Sequence, residues 1–373
     1  MFWEPQDLCE LALPLLKIWK YTGLLHYELH GKINSPDRRF VFKSSYFTLL
    51  IACLILGNLV VYMYYFDVTK DLKSCIVFIQ MISNTVQNLG MIYTSHQKKS
   101  EFGVLFSRLL KMEKLISRKF GNKFLYNDIL KYFLRVVLPK YSVVILVFVL
   151  NALYLFGANC EDLIYGACFY VGWIFDLNSE LLLTFFLITV HQLYKKFNTG
   201  VKNNTNLGLR DINRIHSTLH DVTIILKDVA QGFIFYKLIP DFTCSVVGLY
   251  YLFTNGVDNF LNTFEKFLDL VLSLLGIPSI IVSNLYLMYL FEKISQEANE
   301  TLEIVHKNCY NQKAPKKIFY KDKEIFYLKT IIRPAEFSIF GLFDFNFPFF
   351  YSMIVAVTTY LVYLVQFRQM EHV

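Results

Sequence analysis

Apolar residues run almost unbroken through seven stretches of this chain: 44–66 (SSYFTLLIACLILGNLVVYMYYF), 74–94, 141–158 (YSVVILVFVLNALYLFGA), 163–190, 238–256, 267–290 and 347–367. A helix needs about 20 mostly apolar residues to cross a bilayer, so each stretch predicts a membrane span. The fifth is the least regular, with Pro240 and Asp241 inside it. Between the spans the pattern changes. Segment 95–135 mixes apolar and basic residues (FGVLFSRLLKMEKLISRKF) at a spacing that suits an amphipathic helix. Stretches 207–232 and 291–310 read likewise, carrying spans 4 to 6 onward into the aqueous phase. Segment 315–341 (PKKIFYKDKEIFYLKTIIRPAEFSIFG) predicts a further helix after Pro315, with a break around Pro334 and Gly341. Pro348 then suits the first turn of the last helix. There are no internal repeats and no low-complexity tracts.

Composition agrees with this pattern. Apolar residues make up 55% of the 373 and charged residues 18%, against roughly 45–50% and 25% in a soluble domain. The 36 Phe and 25 Tyr suit lipid contact and the headgroup belts. The fold class is therefore an all-α, polytopic membrane protein. Residues 1–20 carry Glu4, Asp7 and Glu10, unlike the basic opening of a signal peptide, so the first span is expected to do the targeting.

Charge gives the orientation. Lys and Arg number six in 1–43, ten in 95–135, six in 191–232 and nine in 291–346, whereas the alternate segments hold only Lys70, Lys73, Lys266 and Arg368. Cytoplasmic loops collect positive charge, which places the N-terminus inside and the C-terminus outside. The net charge of +7 belongs to this topology and not to a nucleic-acid partner. The expected organisation is a cytoplasmic N-terminus (1–43), six spans with their loops (44–290), a cytoplasmic loop and helix (291–346), a last span (347–367) and a short outer tail (368–373). Two sequons, Asn203 and Asn299, fall on the inner side, where they would go unused.

Catalytic and metal chemistry find no local support. No Walker loop, GxSxG or HExxH occurs, so neither an enzyme nor a cofactor is expected. Seven scattered cysteines form no CxxC pairs; a Cys75–Cys160 bridge on the outer face is the one pairing to consider. His26/His30 and His216/His220 have i,i+4 spacing, yet no third ligand stands near either pair. Cytoplasmic helix surface is the reading for both.

The last helix carries the most specific signal. Ser352, Thr359 and Gln366 recur every seven residues in an otherwise apolar segment, and seven steps return a side chain to within about 20°. They form one stripe, which Tyr363 shares. A glutamine amide facing hydrocarbon costs a few kcal/mol, so it must meet protein or water. Two readings follow: glue between packed helices, or a wet path formed where symmetry gathers several copies of the stripe.

Thr359-Tyr360, five hydrophobic residues (LVYLV) and Gln366-Phe367 form TYhhhhhQF, which resembles the last-span signature of insect gustatory receptors. The preceding FSIFGLFDFN is also similar to that family's approach to its final helix. At motif level the likeness covers about the last 35 residues; in architecture it runs over the whole chain. The resemblance implies a tastant-gated cation channel, a homo- or heterotetramer in the plasma membrane of a sensory neuron dendrite. Its last helices would line the pore, and the inner halves of spans 4 to 6 would form a shared anchor. Carried over by motif position, Gln366 and Phe367 fall at or beside the gate, and Thr359 and Tyr360 deeper. Tyr363 departs from the usual aliphatic there. Gln366, where the sugar-receptor branch tends to carry Glu, tilts the reading toward bitter-type ligands.

An outside ligand needs a pocket between the outer halves of the spans. Gln80, Asn84, Asn151, Tyr154, Tyr170 and Trp173 offer hydrogen bonds and ring faces there, and Asp176 and Glu180 lie four apart on one helix face. Ionisable groups at membrane depth mark functional sites or are paired within the bundle; here the partners would be Lys140, Lys237 or backbone. A receptor signalling through a G protein is the alternative, but that class has its N-terminus outside and neither DRY nor NPxxY appears. A transporter would show paired broken helices in matching halves, and none is found.

Overall fold

Helices account for almost all of the regular structure. The computed structural model describes residues 5, 7–22, 24, 27–30, 39–42, 46–65, 72–120, 126–155, 160–203, 208–260, 264–311 and 336–371. In chain order the elements are α1 (Leu8–Tyr21), β1 (Tyr27–His30), β2 (Arg39–Phe42), α2 (Tyr46–Tyr65), α3 (Leu72–Gln97), α4 (Lys99–Phe120) and α5 (Tyr126–Leu155). They continue as α6 (Cys160–Asn203), α7 (Leu209–Phe260), α8 (Phe264–Asn311), β3 (Ser338–Ile339), β4 (Phe343–Asp344) and α9 (Phe347–Glu371).

The described part of each of the seven apolar stretches lies in a helix of its own. Among the described residues, three segments are both long and apolar enough to cross a membrane: Ile174–Asn203, Leu274–Val305 and Phe347–Phe367. Helices α6, α7 and α8 hold 44, 52 and 48 residues. At 1.5 Å per residue they reach about 66–78 Å, more than twice a hydrocarbon core of about 30 Å. Each is therefore long enough to continue past a bilayer, and α7 and α8 carry Pro240 and Pro278 within them. Helix α7 is central, packing on α3, α4, α6, α8 and α9. Its contact with α3 depends on a missing side chain, because a Cβ on Gly90 would stand 2.3 Å from the Tyr236 ring.

Two features went unpredicted at the N-terminus. Helix α1 repeats Leu8, Leu11, Ala12, Leu15, Leu16 and Trp19 at helical spacing, all buried, and Asp7 caps it by accepting from Glu10 N at 2.8 Å. Trp19 joins an aromatic hub, stacking on Phe186, which meets Phe106 with centroids 4.8 Å apart. Strands β1 and β2 form a small antiparallel hairpin, with Tyr27 opposite Phe42. His30 is thus a strand residue and not part of a helix surface.

The predicted helix 315–341 is corrected where it can be seen. Residues 312–335 lie outside the described residues, and 336–341 are not helical: β3 and β4 pair antiparallel, Ile339 opposite Phe343. Phe340 and Gly341 sit at φ +50° and +72°, and Leu342 N donates to Ile339 O at 2.9 Å. Two successive positive φ values make this a hairpin turn of the primed kind. Asn346 then starts α9, its Oδ1 accepting from Phe349 N at 3.0 Å.

Buried polar groups knit the C-terminal halves of α6 and α8 to the N-terminal half of α7. Asn198 donates to Glu297 O at 2.8 Å and Glu297 Oε2 at 2.9 Å, and accepts from Thr301 Oγ1 at 2.6 Å. His216 and His220 are buried, not on the helix surface that their polarity implied, with ring centroids 6.5 Å apart. Their face of α7 is the one turned to α6 and α8, so Tyr194 packs edge-on to His216 and His216 Nε2 lies 3.4 Å from Ala298 O. Burial, opposed by that hydrogen bond and reinforced by His220, holds the His216 imidazole down at about 4. The unfolded chain takes up this proton near 6.5 while the folded one resists. Stability should therefore fall as pH drops from about 6.5 toward 4, by roughly 3 kcal/mol at most. His216→Gln should flatten that slope in melting curves recorded against pH.

Candidate functional site

The last helix divides cleanly into two faces. Phe350, Val357 and Leu361 are buried, and Leu361 packs in a cluster with Ile76, Val247 and Tyr250. Ser352, Thr359, Tyr363 and Gln366 are exposed. Val357 and Leu361 stand two residues either side of Thr359, which puts them on roughly the opposite side of the helix. The polar stripe therefore faces away from the chain's own bundle. Ser352 Oγ donates to Pro348 O at 3.0 Å and Thr359 Oγ1 to Val355 O at 2.9 Å, so both hydroxyls are satisfied locally. Among the described residues nothing hydrogen-bonds Gln366. Phe367 is exposed beside it, while Tyr360 sets its ring at right angles to Phe242 of α7, centroids 5.6 Å apart.

An aromatic clamp fixes the start of this helix. Phe291 of α8 is buried against Phe337, centroids 4.4 Å apart, and against Phe345 at 5.8 Å. Phe343 stacks flat on Phe349 at 4.2 Å. On the other side of the hairpin Phe340 meets Phe235 edge-on at 5.7 Å, and its N–H donates to Gln231 Oε1 at 3.4 Å. The β3–β4 hairpin thus bridges α7, α8 and the first turn of α9.

A second constellation lies within the bundle. Lys237 Nζ stands 3.4 Å from Asp176, 3.6 Å from Glu180 and 3.3 Å from Asp241. Gln87 donates to Asp176, and Asn284 Nδ2 donates to Asp241 at 2.8 Å. Helices α3, α6, α7 and α8 all contribute. Of the two sequence readings for Asp176 and Glu180, the pairing with Lys237 is present. Asp241, Asn284 and Gln87 went unnamed as site residues, although Lys237 and Asp241 carried a signal: an i,i+4 pair of opposite charge at the edge of an apolar run.

The remaining pocket candidates are dispersed. Gln80 is half-buried and donates to Cys244 Sγ at 3.3 Å. Asn84 is half-buried on the same helix. Asn151, Tyr154, Tyr170 and Trp173 fall on α5 and α6, and their side chains lie outside the described residues, as does that of Lys140. The bridge between Cys75 and Cys160 is overturned: Cys75 is a free thiol, half-buried within α3, where it serves as a small hydrophobe. Among the described residues no group of three His, Cys, Asp or Glu side chains is placed to hold a metal ion.

The sequence profile described as 7tm Chemosensory receptor matches residues 12–371. Among solved structures, the insect olfactory receptor OR5 from Machilis hrabei superposes with a TM-score of 0.75 at 12% identity, covering 96% of this chain and 98% of that one. The same receptor in complex with eugenol gives 0.72 at 13% identity, with the same coverage. At such identity the likeness is one of fold. No curated protein matches the chain.

Proposed function

The chain belongs to the 7tm chemosensory receptor family, and on that footing we propose that it is a gustatory receptor that opens as a cation channel when a small-molecule tastant binds. Four copies, of this chain alone or with related subunits, gather their last helices about an axis in the plasma membrane of a sensory neuron. The chain crosses the bilayer seven times with its N-terminus inside. Ligand entering the outer bundle shifts α7 and α8 against α9 and moves that helix off the axis, and cations pass along Ser352, Thr359 and Gln366.

One observation carries this reading. The polar stripe of α9 looks away from its own bundle while the opposite face is packed. Had the stripe been helix glue within the monomer, its hydrogen-bonding groups would face α7 or α8. Turned outward with no protein partner, the Gln366 amide would waste its hydrogen bonds on acyl chains; an axis of copies supplies it with water instead. The eugenol complex of OR5 supports a small-molecule ligand on this fold. Gln366→Ala should lower cation conductance severalfold and shift the reversal potential under mixed-ion conditions, measured by patch recording with a tastant panel. Currents unchanged in size and selectivity would remove this residue from the conduction path.

A further inference from the structure

Hydrogen-bond acceptors outnumber donors around Lys237. Its single ammonium serves both Asp176 and Asp241, even before Glu180 is counted. Among the described residues, the remaining donors to Asp176 and Asp241 are one N–H from Gln87 to Asp176 and one from Asn284 to Asp241. The Asn284 amide is buried, and its Oδ1 has no hydrogen-bond partner. An unbalanced carboxylate and an unsatisfied carbonyl are each costly inside a helix bundle. Both call for an incoming group with positive charge and N–H donors. A metal ion fits poorly, since Lys237 already stands between the three carboxylates and no group of three ligating side chains is placed to hold one among the described residues. Asp176 is the open member, with a side chain 25% exposed against 4% for Lys237 and 6% for Asp241.

We infer that Asp176 anchors the ammonium group of a protonated amine ligand, which takes that carboxylate from Lys237. Released from Asp176, Lys237 turns to Asp241 and the open Oδ1 of the neighbouring Asn284 amide. Phe242 follows Asp241 directly and lies edge-on to Tyr360 of the last helix. An exchange of partners at Lys237 thus reaches α9 across one turn of α7. The inference rests on the receptor reading above and names the charge class of its ligand.

The full chain in lipid nanodiscs is melted with phenethylamine, cationic at neutral pH, and with its uncharged counterpart 2-phenylethanol. Phenethylamine should raise the melting temperature of wild type and of Asp176→Glu, with binding to Asp176→Asn weakened about tenfold or more; the alcohol should shift none of them. Asn284→Leu, which removes the second perch for Lys237, should weaken amine binding in the same direction and carries the test if Asp176→Asn does not fold. Equal shifts in wild type and Asp176→Asn, an equal response to the alcohol, no shift with the amine, or an acid step that reproduces the amine's effect would each overturn the assignment. Currents from the same chains separate the two readings. A melting shift without current leaves the amine site standing and sinks the channel; an amine-evoked current of equal size in Asp176→Asn does the reverse.

Discussion

Lys237→Met will destabilise the receptor by about 3–5 kcal/mol, because it strips the counter-ion from Asp176 and Asp241 inside a helix bundle. The lysine side chain is 4% exposed and lies within 3.6 Å of three carboxylates, so no water shell can take its place. Taking away one partner of a buried pair costs far more than taking away all of them, since the residual charge is what the interior cannot hold. Lys237→Met combined with Asp176→Asn, Glu180→Gln and Asp241→Asn should accordingly recover most of the loss. Melting of the purified variants in detergent checks both halves. A single variant as stable as the parent would mean the carboxylates need no cation, and a quadruple variant as weak as the single would mean that lost packing, not charge, is responsible.

Phe291→Ala will also cost about 3–5 kcal/mol, the range for deleting a buried aromatic side chain. Its effect should not stop at stability. Phe291 is the α8 half of the clamp that holds Phe337 and Phe345, and those two residues flank the hairpin that sets where α9 begins. Without the ring, the hairpin keeps its contacts to Phe235 and Gln231 on α7 and the Phe343–Phe349 stack on α9, but loses its aromatic anchor on α8. On the channel reading the variant should leak current in the absence of ligand, and Phe291→Leu, which refills part of the space, should leak less. Thermal melting reports the packing and resting current reports the gate. A destabilised variant with a silent resting state would separate the clamp from gating.

The apolar helices were legible because burial in lipid leaves its mark residue by residue: the described part of each of the runs at 44–66, 163–190 and 267–290 falls in one helix. The helical continuation of α6 to α8 beyond their apolar runs was legible from amphipathic period. Asp176 and Glu180 stood out because charge at membrane depth is rare, and Lys237 was named among their possible partners. Asp241 was read as a blemish in the fifth span although its ammonium partner stands one turn earlier on the same helix; its other partner, Asn284 on α8, is tertiary. His216 and His220 were misplaced for the same reason. Their polarity marks a surface in sequence, and only the meeting of α6, α7 and α8 shows that this face is inside. The hairpin at 336–346 was hidden by its brevity, two strands of two residues, and by a turn that places Phe, not a customary Gly or Asn, at a positive φ.

The 52-residue α7 carries the Lys237 cluster near its middle and His216 in its first third. At 1.5 Å per residue that length is about 78 Å, and Pro240 stands inside the helix within one turn of Lys237, so the place where the backbone ladder is interrupted coincides with the charged cluster. A bend of about 5° there sweeps the N-terminal tip of α7 through roughly 3–4 Å. A change of partners at Lys237 is in this way amplified at that tip, where a fluorescent label would register it.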